Sequence, residues 1–137
     1  SKMIEIAKKK MTERRIENIC FEQSTIFNED IAIESFDVAL AFNMLHLMRD
    51  GQLAIQRIYE ILRPGGVFIS DTVCLGEGRS FLSIPILLLS KIGLIPDVIR
   101  YEATDIEAMI TEGQFHIVEA ARFSQRPPNY FVVAKKE

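Results

Sequence analysis

The stretch ILRPGGVFISDTV, residues 61–73, constrains the fold more than any other part of this chain. Pro64 cannot continue a helix, because it lacks the N–H a helix interior needs. Gly65 or Gly66 can take the left-handed conformation that ends one. Val67, Phe68 and Ile69 then form a short apolar, partly β-branched run that reads as a buried strand. Upstream, Ala54, Ile55, Ile58, Ile61 and Leu62 recur at helical spacing behind Asp50, a residue suited to a cap. A helix that hands its chain straight to a buried strand is a joint of α/β architecture. Many α/β domains need such a joint, so alone it names no function.

The rest of the chain supplies partners for this unit. Met3, Ile4, Ala7 and Met11 stand at helical spacing with lysines opposite, and Ser1 occupies an N-cap position. ICFE, within residues 16–23, is a short strand candidate, and VALAF after Phe36 and Asp37 reads as a fully buried strand. Thr104 to Glu107 has the form of a capping box opening a short helix that Gly113 closes. HIVEAARF and NYFVVAKK are strand candidates whose connection, SQRPP, is short enough to make them antiparallel neighbours. The expectation is a single α/β domain over residues 1–137, with a mainly parallel sheet, helices on both faces and an antiparallel last strand. In such a sheet small molecules bind outside the carboxyl ends of the strands. The residues there are Ser24 and Thr25, Asn43 to His46, and Asp71 and Thr72.

Composition removes several classes of function. With 48% hydrophobic and 26% charged residues the chain is that of an ordinary globular domain. A net charge of -3 gives no footprint for nucleic acid, and the basic clusters at residues 8–10 and 14–15 read as a solvated helix face. Cys20 and Cys74 are far apart and lack CxxC or Cys/His spacing, so neither a disulfide framework nor a metal site is supported. The opening SKMIEIAKKK does not read as a secretory signal, and no charge-free run is long enough for a transmembrane segment. A reducing, cytoplasmic setting is the expectation.

FDVALAFNMLH, residues 36–46, followed by a helix ending in ILRPGGVFI, resembles class I S-adenosylmethionine-dependent methyltransferases, most of all the branch related to ubiquinone and menaquinone biosynthesis. Phe36, Asp37, Asn43, Leu45, His46, Leu62, Arg63, Pro64, Gly65 and Gly66 match that pattern. The resemblance extends over nearly the whole chain and implies a Rossmann-like fold with S-adenosylmethionine as cofactor. It also exposes an absence. The family's glycine-rich loop and ribose-binding acidic residue should precede residue 1, and Gly76-Glu77-Gly78 follows the wrong strand to replace the loop. The amino-terminal strands are therefore expected to be missing, which makes the chain an incomplete methyltransferase domain.

On this resemblance Met3, Ser24, Thr25, Asn43 and Leu45 face the cofactor, with Thr25 standing where the family has an acidic residue. His46, Asp71 and Thr72 face the acceptor, and His46 is the candidate base. Each has a plainer reading as well: His46 as a core or helix-start histidine, Asp71 and Thr72 as caps of the next loop, Met44 and Met48 as core. The implied activity is methyl transfer to a small, apolar acceptor. The alternatives are a cofactor-free interaction module and, disfavoured by the lack of GxGxxG and Tyr-x-x-x-Lys, a nicotinamide-dependent reductase. The apolar insert FLSIPILLLSKIGLI, residues 81–95, reads as sheet packing, as a lid over the acceptor, or as a membrane or partner contact. Loss of central strands would leave VALAF with a bare edge, which either re-pairs with ICFE or drives self-association.

Overall fold

The computed structural model describes residues 1–76, 99–125 and 128–137, with Ser124 and Gln125 described by their backbone alone. The insert at 81–95 lies outside the described residues. In chain order the elements are α1 (Lys2–Glu13), β1 (Phe36–Phe42), a 3-10 turn (Leu45–Leu47), α2 (Gly51–Ile61), β2 (Leu62–Val73), α3 (Ala103–Glu112), β3 (Phe115–Gln125) and β4 (Pro128–Lys136). The four strands form one sheet in the order β1-β2-β4-β3. β1 and β2 are parallel, and β4 runs antiparallel to both of its neighbours. Three strands thus share one direction and the last is reversed, as the hairpin reading anticipates.

The helix-to-strand joint is tighter than the sequence suggests. α2 ends at Ile61, and Leu62 is already extended at φ -76, ψ 140, so β2 begins ahead of Pro64. The proline ring disfavours helical geometry at Arg63, which moves the break upstream. Gly65 takes φ +79, while a Cβ on Gly66 would meet the Arg63 carbonyl oxygen at 2.8 Å. Two charged contacts fasten the joint. Arg63 Nη1 donates to Asp37 Oδ1 at 2.7 Å, at the start of β1. The buried Lys136 donates from Nζ to the carbonyl oxygens of Tyr59 (2.9 Å) and Leu62 (2.8 Å), placing a cation where the helix leaves carbonyls unpaired.

α2 and α3 build the core against one face of the sheet. Ile55, Ile58, Ile106 and Ile110 pack with Phe68, Val132 and Ala134, and Phe115 stacks between Phe68 and Tyr59 with ring centroids 5.4 and 5.1 Å away. α3 starts earlier than expected. Its capping box is formed by Glu102 and Asp105, since Ala103 is already buried in the first turn. Gly113 does close it, yet Gln114 adopts the left-handed conformation (φ 68). Gly113 is required by packing instead: a Cβ there would lie 2.5 Å from Ile55 Cγ2.

Four expectations are corrected. ICFE forms no strand; residues 19–22 are irregular and mostly exposed, with only Phe21 half-buried. VALAF is a strand but not a fully buried one. Ala41 is buried and Ala39 half-buried, whereas Val38, Leu40 and Phe42 are 50%, 60% and 50% exposed. With one flank of β1 lacking a neighbouring strand among the described residues, alternation leaves those side chains on the uncovered face. α1 buries no residue, and Met3 is exposed rather than part of a packed stripe. Neither Ser1 nor Asp50 makes a side-chain capping bond. No described helix is long and apolar enough to cross a membrane.

Candidate functional site

The carboxyl ends of β1 and β2 lie side by side, because Phe42 pairs with Asp71 in the parallel register. Asn43, the next residue, turns out of the sheet with φ 53. An asparagine tolerates that left-handed conformation better than most side chains, which gives its place after VALAF a physical reason. Its N–H donates to the Asp71 carbonyl oxygen at 2.8 Å. The turn then buries Leu45 completely, so the Leu45 side chain belongs to the core cluster.

His46 follows at half-burial. Its carbonyl oxygen accepts the Ile99 N–H at 2.8 Å, and its ring Nδ1 is buried without a hydrogen-bond partner among the described residues. Burial holds the imidazole below its ordinary 6.5, so it is neutral at pH 7 and able to accept a proton.

Asp71 and Thr72 are separated by the alternation of β2. Thr72 and Ser70 point into the helix-covered core, fully buried, with hydroxyl oxygens lacking partners among the described residues. Asp71 is half-buried on the other face. Its two carboxylate oxygens accept from Asn129 Nδ2 at 3.3 and 3.1 Å. Sequence reasoning overlooked Asn129. The signal was available, since an antiparallel last strand must begin at the end where β2 finishes.

Ser24 and Thr25 lie in irregular chain. The Thr25 hydroxyl accepts the Phe27 N–H at 3.3 Å and Ser24 Oγ donates to the Thr25 carbonyl oxygen at 3.5 Å, a local turn. Ile26 packs against the core cluster and anchors that turn to the domain. Met3 approaches no other candidate through any described hydrogen bond, although the Ser1 nitrogen donates to Gln23 Oε1 nearby in the chain. The structure therefore joins Asn43 and Asp71 directly, sets His46 in the adjoining turn, and turns Thr72 away.

A second polar pair was not anticipated: the Tyr130 hydroxyl donates to the Glu107 carboxylate. Burial and that bond push the phenol up to about 12. A polar cavity of about 240 Å³, lined by Gln56, Tyr59, Glu60, Glu112, Gly113 and Gln114, opens beside the start of β3, away from this edge.

A sheet with candidate polar groups at its carboxyl edge matches a known family at the level of sequence. The model of a methyltransferase domain matches residues 1–121. The chain belongs to this methyltransferase-domain family. Among curated proteins there is no match. Solved structures share the fold at low identity. The [4+2]-cyclase SpnF has a TM-score of 0.77 at 14% identity, over 97% of this chain and 62% of its own. A SAM-dependent methyltransferase from Thermotoga maritima has 0.66 at 16%, over 95% and 70%. PigF, solved with S-adenosylhomocysteine, has 0.72 at 20%, over 99% and 41%. This methyltransferase-family chain thus spans 62% of the length of SpnF and less than half of PigF.

Proposed function

We propose that this chain forms the acceptor-side portion of an S-adenosylmethionine-dependent methyltransferase domain acting on a small, apolar acceptor. The observation that carries the reading is Asn43. A left-handed asparagine is locked to Asp71 by its main chain, so its carboxamide is free to meet a ligand at the sheet's carboxyl edge. The residues present fit the adenosine end of the cofactor. Asn43 offers a donor and an acceptor, Ser24 and Thr25 offer hydroxyls on an anchored turn, and exposed Met44 offers apolar surface. The methionine end finds no such partner, because no glycine precedes Gly51.

When bound, the cofactor supplies a methyl group already activated by its sulfonium charge. The protein's work is then mostly positioning. Asn129 fixes the Asp71 carboxylate, which leaves Asp71 oriented to accept a hydrogen bond from an acceptor's hydroxyl or amine. Neutral His46, three residues past Asn43, can take up a proton released at that edge. A second reading, an interaction module, draws on the exposed apolar side chains of Val38, Leu40 and Phe42, since a fold does not dictate its function.

Titrating S-adenosylhomocysteine into the 137-residue chain while following amide resonances separates the two. The methyltransferase reading predicts a dissociation constant of about 1 mM or weaker, roughly 4 kcal/mol, with shifts confined to residues 24–25 and 43–46. Shifts elsewhere, or none at saturating ligand, would discard it.

A further inference from the structure

β2 is an inner strand, paired with β1 on one side and with β4 on the other, so the chain supplies both of its neighbours. At its carboxyl end the two pairings fall on one residue. Asp71 stands opposite Phe42 of β1 and opposite Phe131 of β4. Residues opposed in this way share a face, so Asp71 lies in a row between two phenylalanines, with the strands about 4.8 Å apart. This is the face away from α2 and α3, because Ser70 and Thr72, the chain neighbours of Asp71, are buried in the helix-covered core. Phe123 extends the row: its ring meets that of Phe131 edge to face, with centroids 5.3 Å apart.

The groups at the centre of the row are hydrogen-bond acceptors. Asn129 turns its Nδ2 toward Asp71, at 3.3 and 3.1 Å from the two carboxylate oxygens. That contact orients the carboxylate without filling it, since two carboxylate oxygens carry about four lone-pair positions and one amide nitrogen has two hydrogens. With Nδ2 committed, Asn129 has its Oδ1 to offer, a second acceptor. A hydroxyl brings one hydrogen to such a site, whereas a primary ammonium brings three and a positive charge. The phenylalanines favour the same ligand, because the face of an aromatic ring attracts a cation within about 6 Å of its centroid.

We propose that Asp71, held by Asn129 and flanked by Phe42 and Phe131, is the subsite for a protonated amine, so that the acceptor carries an ammonium group on its apolar body. The proposal rests on the reading of this edge as the acceptor side, and it narrows that reading from a hydroxyl or an amine to an amine. Asp71 meets the ligand, and Asn129 is a positioning residue that acts through it.

Benzylamine, an ammonium ion on a phenyl ring at neutral pH, and benzyl alcohol, its uncharged counterpart, are the probes. Each is titrated into the 137-residue chain at low ionic strength while the Asn129 side-chain amide and the backbone amides of Asp71 and Phe131 are followed by nuclear magnetic resonance. The amine is expected to shift the Asn129 side-chain amide and to bind about fivefold more tightly than the alcohol, the combined weight of an exposed ion pair and a cation–π contact. Asp71→Asn keeps the shape and removes the charge. It should bring the ratio to about twofold or less with the alcohol's affinity unchanged, a pattern that a loss of local structure does not produce. Asn129→Ala, which lets the carboxylate turn, should give an intermediate ratio. The wild-type ratio decides the matter even if neither variant folds. Equal affinities in the wild-type chain, an amine preference that survives Asp71→Asn in folded form, or amine shifts that miss Asp71 and Asn129 would overturn the proposal. S-adenosylhomocysteine titrated into the same sample separates the two failures: shifts at residues 24–25 and 43–46 with equal affinity for amine and alcohol refute the amine subsite and leave the methyltransferase reading standing.

Discussion

The two faces of the sheet at β1, β2 and β4 have opposite fates although their side chains alternate along the same strands. On one face Phe68, Ala41, Val132 and Ala134 are buried beneath α2 and α3. On the other, Val38, Leu40 and Phe42 stand half exposed, and Val67, Ile69 and Val133 are half-buried. Hydrophobicity does not distinguish the sets; coverage does. An apolar residue reports that a face expects a partner, and only tertiary structure reports whether the described chain supplies it.

Mutation is the direct way to break the comparison. Phe68→Ala should cost about 3–5 kcal/mol, since it removes a fully buried ring that Phe115 stacks upon. Leu40→Ala, nearly as apolar a deletion, should cost within about 0.5 kcal/mol. Urea denaturation of both variants measures the contrast, and equal losses would erase it. Lys136→Met should cost on the order of 1–3 kcal/mol, because the carbonyl oxygens of Tyr59 and Leu62 lose their charged donor at the joint.

Titration sharpens the comparison with smaller effects. His46 has a depressed folded-state pKa through burial, so its contribution is fully present above the unfolded value of about 6.5 and is lost as pH falls through the folded one. The melting temperature should therefore drop between pH 7.5 and 5.5, and His46→Gln should flatten that part of the profile. Tyr130 behaves in the opposite sense. Its phenol stays protonated in the fold while the unfolded one ionises near 10, so stability should decline as pH rises from 10 toward 12. Tyr130→Phe should remove the decline at a cost of about 1 kcal/mol near neutrality.

The joint at residues 61–73, the apolar stripe of α2 and the β3–β4 hairpin were legible in sequence because each rests on local chemistry: a missing N–H, a period of 3.6, a short connection. The apolar composition of VALAF was legible as well. Its exposure was not, since burial depends on a neighbour that local pattern cannot supply. ICFE misled for the same reason, being strand-like in composition with no strand among the described residues pairing with it. At the candidate site, Asn43 and Asp71 were found from their places at strand ends. The inward turn of Thr72 and the clasp of Asn129 on Asp71 became visible only when strand parity and the reversal of β4 were fixed in space.

Amide hydrogen exchange resolved at single residues tests the division of β1 most directly. The N–H groups of Ala39, Ala41 and Asn43 face β2, and those of Val38, Leu40 and Phe42 face outward. The account predicts that the first set is protected. The second set should exchange freely. Protection of Leu40 and Phe42 equal to that of Ala39 and Ala41 would contradict it.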